Sequence, residues 1–526
     1  MPKVLISDKM AVGAADIFKE RGVEVDVKTG LTPDELIKII PEYDGLAVRS
    51  STKVTQNILD AAKNLKVIGR AGIGVDTIDV PHATQRGVVV MNTPFGNATT
   101  TAEHAIAMMM SLARMIPQAN SSTHAGKWEK SKFLGTEITG KTLSIVGCGN
   151  IGTIVASRAN GLSMKVVAYD PFLTEERAKA IGVEKVDLDE ALRRADFITL
   201  HTPLTEKTRN IISGDKIKLL KKGAFLINCA RGGLVDETAL KDALDEGHLA
   251  GAALDVFYTE PAKEHPLFGH EKLICTPHLG ASTREAQDIV AIQIAEQMSD
   301  FLLTGAVSNA INMPSVTAAE APILKPYIEL AEYLGKFIGQ LPSAGLKSIE
   351  IIYDGNIAKL NTKPISAAAI SGILKPIFGS VNLVNGPVVL KNQGIALSES
   401  VRDRTGIYEG YIMLKLEAEN SSYVIAGTVF SDQKPRITRI NDVRLEAEFS
   451  KYMLFTENQD RPGYIGALGT LLGNENINIA NFRLGRTSEG SEALALVEID
   501  TAPDDKTIQD IIALPQVLNA VSIALN

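Results

Sequence analysis

The chain has 526 residues, of which 45% are hydrophobic and 22% are charged, and its net charge is −8 at pH 7. This composition is ordinary for a globular protein, and the length predicts about three or four domains. The acidic balance gives no basic footprint for nucleic acid, and no apolar run has the length of a membrane span. We therefore expect neither a nucleic-acid partner nor a membrane partner.

Three cysteines, Cys148, Cys229 and Cys275, are present without the spacing of metal ligands. Each ends or follows a predicted strand, so we expect packed free thiols and no metal site. Free thiols suit a reducing compartment, and residues 1–6 begin a strand rather than a signal sequence. The sequence therefore predicts a cytoplasmic protein.

Residues 1–97 alternate between strands and helices, which predicts a small α/β domain. Five short apolar runs predict its strands: Val4–Ile6, Val23–Val27, Leu46–Val48, Lys66–Ile68 and Val88–Val90. A single long helix, rich in alanine and methionine, is predicted over residues 99–120 and leads into a second domain.

A glycine-rich turn opens the second domain. The apolar run Thr142–Val146 predicts a buried strand, and it is followed by Gly147-Cys-Gly149-Asn150-Ile151-Gly152 and a helical segment. In this context the first glycine allows the tight turn, the second lets the backbone approach a pyrophosphate, and the third lets the helix pack close to the strand. The helix N-terminus supplies free N–H groups and partial positive charge.

The next strand, Val166–Tyr169, ends on Asp170, which lies 18 residues after Gly152. An acid at this place bonds the ribose hydroxyls of NAD and repels the 2′-phosphate of NADP. A glycine turn that only packs tightly is the alternative. The complete order of strand, turn, helix, strand and acid favours an NAD site formed by Gly147, Gly149, Asn150, Ile151, Gly152 and Asp170.

Three later strands of this domain are each followed by a reactive side chain. Residues 224–228 precede Arg231, residues 252–254 precede Glu260, and residues 273–275 precede His278. Ligands of doubly wound sheets sit beyond the carboxyl ends of the strands, so we expect these side chains to share one crevice. A guanidinium grips a carboxylate, and an imidazole paired with a carboxylate exchanges a proton near neutral pH. Singly each is explained as a surface charge or a core histidine, but together they favour a catalytic site.

Several segments in order resemble the D-isomer-specific 2-hydroxyacid dehydrogenases. The matching segments are Gly69–Val75, Gly147–Gly152, Asn228–Gly233, Leu254–Phe257 and Pro277–Ala281. The resemblance implies an NAD-binding, Rossmann-type doubly wound parallel sheet over residues 98–281. It also implies a flavodoxin-like α/β substrate domain built from residues 1–97 and 282–312.

The resemblance also implies roles for individual residues. Arg231, Glu260 and His278 would be the catalytic trio. Further cofactor contacts would come from Thr202, Cys229, Ala230, Asp255 and Gly280. The match looks closest to the members that act on 3-phosphoglycerate, and the contacts to that substrate would come from Arg49, Arg70, Ile73, Gly74 and Asn97. Ordinary surface positions are the alternative for the first two arginines.

Beyond residue 315 the sequence resembles the regulatory part of the longer family members. Residues 316–450 resemble an α+β intervening domain that binds substrate allosterically. In residues 451–526 the predicted order β-α-β-β-α-β is ferredoxin-like and resembles an ACT domain. That likeness implies L-serine as effector, bound near Asp460, Tyr464 and Asn478, and a homo-oligomer (dimer or tetramer). An ACT fold that serves only oligomer contacts is the alternative.

Two other functions stay open at this point. One is the dehydrogenation of another D-2-hydroxy acid, such as glycerate or erythronate 4-phosphate. The other is a non-catalytic regulator that senses NAD(H). The regulatory region weighs against the first, and the intact trio of Arg231, Glu260 and His278 weighs against the second.

Overall fold

The structure is a computed structural model that describes residues 1–317, 319–341, 345–402 and 408–525. The first sheet has five parallel strands in the order β2-β1-β3-β4-β5, which is the flavodoxin-like order. Its elements are β1 Lys3–Ile6, α1 Gly13–Glu20, β2 Glu24–Val27, α2 Pro33–Ile39, β3 Gly45–Val48, α3 Gln56–Ala61, β4 Val67–Arg70, α4 Val80–Gln85 and β5 Val89–Asn92.

The second sheet has seven parallel strands in the order β12-β11-β10-β9-β6-β7-β8. Apolar clusters cover both of its faces, as parallel sheets require. Its elements are α5 Ala98–Ala113, α6 Ile116–His124, β6 Thr142–Val146, α7 Asn150–Gly161, β7 Lys165–Tyr169, α8 Glu175–Ala180, β8 Glu184–Lys185, α9 Leu188–Arg194, β9 Phe197–Leu200, α10 Gly214–Leu219, β10 Ala224–Asn228, α11 Glu237–Asp245, β11 Leu249–Leu254 and β12 Leu273–Cys275.

The prediction of one continuous helix over residues 99–120 is wrong. Helix α5 ends at Ala113, and α6 begins at Ile116. Met115 between them has a left-handed backbone (φ 53°), and Pro117 occupies the first turn of α6. The chain therefore turns at this point, because a proline cannot donate an N–H to the preceding helical turn.

Helix α12, Arg284–Thr304, carries the chain back to the first sheet. Its Ile294 and Met298 lie in the same apolar core as Val4 and Val67. At Gly69 of β4 a Cβ would lie 2.2 Å from the Met298 sulfur, so this strand needs glycine where the helix crosses.

The third sheet is mixed, in the order β14-β13-β15-β16-β17-β18, and only the β13–β14 pair is parallel. Helices α13 and α14 pack against each other beside it. The elements are α13 Ala321–Ile338, β13 Leu346–Gly355, α14 Lys363–Phe378, α15 Gly386–Asn392, β14 Ala396–Arg402, β15 Gly410–Ala418, β16 Ser422–Val429, β17 Pro435–Ile440 and β18 Val443–Glu448. Short 3-10 helices cover Ile40–Glu42, Lys130–Lys132 and Asn356–Lys359.

The fourth sheet is antiparallel in the order β20-β21-β19-β22, the ferredoxin-like arrangement. Its elements are β19 Tyr452–Gln459, α16 Tyr464–Asn474, β20 Ile479–Arg486, β21 Glu492–Ile499, α17 Asp505–Ile512 and β22 Val517–Ala524. One face packs on its own two helices, while Phe455 on the other face meets Phe337 of α13. The predicted fold class, two parallel α/β sheets followed by α+β and ferredoxin-like parts, is confirmed.

The loop before α15 joins the third sheet to the first. Asn382 Nδ2 donates to the Gly87 carbonyl (3.0 Å), and Asn385 Nδ2 donates to the Gln85 carbonyl (3.2 Å). Val384 lies between them and is buried in the apolar core of the first sheet. This loop thus anchors the C-terminal part of the chain on the first α/β unit.

The three cysteines are free, as predicted. Cys148 and Cys229 are buried, but Cys275 is exposed, so the expectation that all three are packed is wrong for Cys275. It ends β12, where the sheet edge opens to solvent. Over the described part of the chain, no helix combines the length and apolar composition needed to cross a bilayer.

Candidate active site

The carboxyl ends of the strands in the two parallel sheets face a common cleft of about 1160 Å³. The first sheet contributes the loops after β3, β4 and β5, and the second contributes the loops after β9, β10, β11 and β12. Arg231, Glu260 and His278 all line this cleft. The structure therefore brings these three side chains into one space, and each follows the end of a strand.

His278 and Glu260 form a close pair. Nδ1 of His278 lies 2.6 Å from Oε2 of Glu260, and the Phe257 N–H donates to Oε1 (3.0 Å). Burial alone would raise the pKa of Glu260, but the bonds from His278 and Phe257 hold it below its ordinary value. The carboxylate is therefore charged at neutral pH and accepts from Nδ1–H. This arrangement leaves Nε2 of a neutral imidazole as the nitrogen that can accept a proton in the cleft.

Asp255 organises the loop that carries His278. Its side chain is fully buried, and its oxygens accept from the N–H groups of Leu279 (2.7 Å) and Gly280 (2.8 Å) and from the Thr276 hydroxyl (2.5 Å). Burial opposes its charge, yet bonds from His104, Thr276 and Leu279 lower the pKa of Asp255. The Asp255 carboxylate is therefore charged, and its hydrogen bonds hold the loop from Thr276 to Gly280 in place.

His104 on α5 also reaches this carboxylate, with Nε2 3.3 Å from Asp255 Oδ1. No pattern in the sequence singled out this histidine. Spacing along α5 does place it on the same face as Asn97 and Thr101, both of which line the cleft.

Arg231 is held where the two parallel-sheet units meet. Its Nε donates to Asp76 of the first unit (2.8 Å), and its Nη1 donates to the Ala230 carbonyl (2.6 Å). A Cβ on Gly74 would lie 1.9 Å from Arg231 Nη2. Glycine at this position therefore lets the guanidinium lie against the main chain of Ile73 and Gly74. Asp76 was not predicted, because an acid in a loop carries no distinctive pattern.

Three guanidinium groups lie near one another in the cleft. Arg49 and Arg70 follow β3 and β4, and both face the space that Arg231 faces from the other side. Burial and the neighbouring charges of Arg49 and Arg231 lower the pKa of Arg70 to about 10. Arg70 Nε and Asn97 Oδ1 are buried without a hydrogen-bond partner among the described residues. Even with Asp76 paired to Arg231, the three guanidinium groups leave an excess of positive charge, and together with the free polar atoms it favours an anionic ligand here.

The glycine turn fits a dinucleotide. Gly147 has a positive φ of 94°, and a Cβ on Gly152 would lie 2.1 Å from the Gly147 carbonyl oxygen. A Cβ on Gly149, in contrast, would have no atom within 4 Å, so there is open space at the N-terminus of α7, where a pyrophosphate fits. Asp170 accepts from the N–H groups of Cys148 and Phe172 (2.8 Å each), which places its carboxylate beside the turn.

The other predicted cofactor contacts lie along the cleft between this turn and His278. Its lining includes Asn150, Ile151, Thr202, Cys229, Ala230, Asp255 and Gly280. Burial and the nearby Asp255 carboxylate raise the pKa of the Cys229 thiol, so the thiol is neutral. Burial lowers the pKa of His201, the neighbour of Thr202, to about 4, so its ring is uncharged at neutral pH. The described residues contain no group of three or more His, Cys, Asp or Glu side chains suited to a metal ion.

The structure does not bring the three predicted effector residues together within one chain. Asp460 bonds Gly490 N–H (3.0 Å) and follows the end of β19 that pairs with Glu492. Asn478 bonds Asp500 (2.8 Å) and precedes the β20 residue that pairs with Ile499. These are opposite ends of β21. Tyr464 is buried with its hydroxyl bonded to Thr456 (2.5 Å).

Comparisons with known proteins agree with this architecture. Residues 106–280 match the NAD binding domain of D-isomer specific 2-hydroxyacid dehydrogenases. Residues 323–441 match the D-3-phosphoglycerate dehydrogenase intervening domain, and residues 452–516 match the ACT domain. The D-3-phosphoglycerate dehydrogenase of Synechocystis sp. is 44% identical over 100% of this chain and 95% of its own length. The chain belongs to the D-3-phosphoglycerate dehydrogenase family.

Other relatives extend this result. The D-3-phosphoglycerate dehydrogenase of Bacillus subtilis is 41% identical over 100% of both chains. Among solved structures, the TT0316 protein from Thermus thermophilus is similar with a TM-score of 0.55 and 34% identity, covering 59% of this chain and 99% of its own. The D-3-phosphoglycerate dehydrogenase family thus accounts for the whole chain, including the two sheets beyond residue 315. The resemblance identified from the sequence motifs is confirmed.

Proposed function

We propose that this protein oxidises 3-phospho-D-glycerate to 3-phosphohydroxypyruvate with NAD, the first step of L-serine biosynthesis. The observation that carries the proposal is the convergence of Arg49, Arg70 and Arg231 beside the His278–Glu260 pair. A substrate with a carboxylate at one end and a phosphate at the other supplies a negatively charged group for the arginines on each side of the cleft. Full-length similarity to enzymes of that name supports the same substrate.

The charged and polar residues named above have separate tasks in the proposed reaction. Arg231 and the main chain of Ile73 and Gly74 hold the substrate carboxylate, while Arg49, Arg70 and Asn97 hold the phosphate end. His278 Nε2 removes the proton of the C2 hydroxyl, and Glu260 stabilises the imidazolium that results. Bound NAD would supply the hydride acceptor for this oxidation. The turn from Gly147 to Gly152, with Asp170, would hold the dinucleotide.

A kinetic assay tests this proposal. The protein is mixed with NAD and 3-phosphoglycerate, and NADH is followed by its absorbance. Parallel reactions contain D-glycerate, which lacks the phosphate, or erythronate 4-phosphate. We expect rapid NADH formation with 3-phosphoglycerate and a kcat/KM lower by about 100-fold or more for D-glycerate, because the phosphate contacts are lost. Equal rates with 3-phosphoglycerate and D-glycerate, or no NADH with any of the three acids, would contradict the proposal.

We also propose that L-serine regulates the enzyme through its ACT domain in a cytoplasmic homo-oligomer. The positions of Asp460 and Asn478 at opposite ends of the sheet support a site shared between two chains. Three free cysteines suit a reducing cytoplasm. The measurement is the same assay with and without serine, combined with light scattering. A monomeric protein whose rate of NADH formation does not change with serine would contradict this proposal. That result would leave the dehydrogenase proposal intact.

A further inference from the structure

Helix α5 forms the wall behind the loop that carries His278. Asn97 occupies the N-cap position of the helix, and Thr101 and Met108 lie on the same side one and three turns later. Thr101 lies against Gly280, since a Cβ on this glycine would be 3.4 Å from Thr101 Cγ2. Met108 Sδ lies 3.9 Å from the Thr276 hydroxyl. The loop is therefore packed along one face of α5, and His104 lies on that face.

His104 makes two polar contacts to the base of the loop. Its Nε2 lies 3.3 Å from Asp255 Oδ1 and 3.3 Å from Thr276 Oγ1. The Thr276 hydroxyl donates to Asp255 Oδ1, and the two oxygens lie 2.5 Å apart. The threonine oxygen is therefore an acceptor toward His104. Both neighbours accept, and Nε2 of His104 must therefore carry the hydrogen. This N–H bonds the Thr276 oxygen, and Nε2 lies equally close to the Asp255 carboxylate at 3.3 Å.

The contact between His104 and Asp255 matters because Asp255 fixes the backbone conformation around His278 through hydrogen bonds. Its main-chain carbonyl accepts from the His278 N–H (2.8 Å), and its carboxylate accepts from the next two N–H groups, those of Leu279 and Gly280. His278 itself has a left-handed backbone (φ 56°), which a non-glycine residue keeps only when its surroundings hold it there. A buried carboxylate without all of its donors would hold this loop less firmly.

We infer that His104 is a positioning residue for the proton transfer: its Nε2–H holds the Asp255 carboxylate and the Thr276 hydroxyl, and through them the loop that aims His278. The inference deepens the proposed function and rests on it for the identity of the reaction. His104 does not face the reacting atoms. It acts through Asp255 on the position of the imidazole that does.

The test compares three substitutions of His104. His104→Leu removes the N–H and keeps the bulk. His104→Gln places an amide N–H close to the position of Nε2, and His104→Asn is polar but too short to reach Asp255. His248→Leu is the matched control, because His248 Nε2 also makes one bond in a partly buried place, to the Ile217 carbonyl (3.1 Å), away from the cleft.

We expect kcat to fall about 10- to 100-fold in His104→Leu and His104→Asn, because a small displacement of the base slows the reaction by that order. His104→Gln should recover most of the rate, and the KM for NAD and the affinity for NADH should stay within about twofold in all three. His248→Leu should keep the wild-type kcat even if it lowers the melting temperature. A wild-type kcat in His104→Leu would overturn the inference. A folded His104→Gln variant whose kcat is as low as that of His104→Asn would also overturn it.

Hydrogen–deuterium exchange gives a reading that does not depend on the substrate. Amides of residues 278–280 should exchange faster in His104→Leu than in the wild type and in His104→Gln, even if 3-phosphoglycerate proved not to be the substrate. Unchanged exchange in His104→Leu would overturn the inference on its own. Failure of the wild type to reduce NAD would instead reject the proposed function.

Discussion

At the scale of single residues, Arg70 shows how the cleft is prepared for an anion. Its charge is disfavoured in the folded protein by burial and by Arg49 and Arg231, which is why its pKa is lowered. A group whose charge is disfavoured in the folded state destabilises that state, so the arginine is kept for binding rather than for folding.

Replacing Arg70 by methionine should therefore separate stability from function. We expect Arg70→Met to melt at the same or a higher temperature than the wild type without ligand, because the repulsion is removed. Its kcat/KM for 3-phosphoglycerate should fall about 10- to 100-fold, the value of one charge-assisted hydrogen-bond set. Differential scanning fluorimetry and steady-state kinetics measure both. Arg209→Met, at an exposed position outside the cleft, is the control, and a wild-type kcat/KM in Arg70→Met would contradict the assignment.

Asp255 gives a prediction on pH. Its pKa in the folded protein lies below the ordinary 3.8, so its stabilising effect is complete above about pH 4 and is lost as the pH falls through the lower folded value. Asp255→Asn, which turns an amide N–H toward a backbone donor, should lower the free energy of unfolding at pH 7 by about 1–3 kcal/mol. Urea titrations should show this difference shrink below pH 4. A difference that stays constant down to pH 2 would mean that the carboxylate charge is not what holds the loop.

At the scale of elements, the strand–turn–helix around Gly147 separates two uses of glycine. We expect Gly149→Ala to fold with the wild-type melting temperature but to raise the KM for NAD, because its Cβ meets only the open space beside α7. Gly152→Ala should lower the melting temperature, because its Cβ would meet the Gly147 carbonyl oxygen. Gly161→Ala, also with open space, is the control. If both variants only lost stability, the turn would be a packing device rather than a cofactor site.

The helices and strands differ in how well they could be predicted from the sequence. Strands β6, β10 and β12 have the predicted bounds, because short apolar runs between turn residues are easily recognised as strands of a buried parallel sheet. The break between α5 and α6 was missed, although Pro117 was the available signal. Helix α14 was not predicted either: it is buried over most of its length, so its apolar residues show no helical period.

Within the site, the predictable residues are those that directly follow strands. Arg231, Glu260 and His278 were found because the topology of a doubly wound sheet fixes where strand ends meet. Asp76 and His104 were not found, since each acts through a contact between distant parts of the chain. Such contacts, 155 residues apart for Arg231 and Asp76, leave no local pattern.

At the scale of the whole molecule, two successive contacts link the ACT sheet, through the third sheet, to the first α/β unit. The ACT sheet shares an apolar core with α13, where the rings of Phe337 and Phe455 lie 6.0 Å apart. The loop from Asn382 to Asn385 is then anchored on the chain just before β5. Strand β5 ends at Asn92, which donates to the carbonyl of Ile73 (2.6 Å) beside the substrate site.

Loss of the second contact should weaken the whole molecule. Asn385 is buried and makes bonds to Gln85 and Ser380, so Asn385→Ala should cost about 1–3 kcal/mol of stability. Thermal unfolding measures the change, with exposed Asn392→Ala as the matched control. An Asn385→Ala protein as stable as the control would mean that the loop rests on the first unit without holding it.

The most direct test of the account is the paired measurement of turnover and NADH binding in His278→Ala. Since the imidazole is assigned to proton transfer and the dinucleotide to other residues, kcat should fall about 10²- to 10⁴-fold. The dissociation constant of NADH, from the quenching or enhancement of its fluorescence, should change by less than about twofold. His270→Ala, whose ring pairs with Asp245 outside the cleft, should leave both values unchanged. Equal losses of turnover and NADH binding in His278→Ala, or an unchanged kcat, would contradict the account.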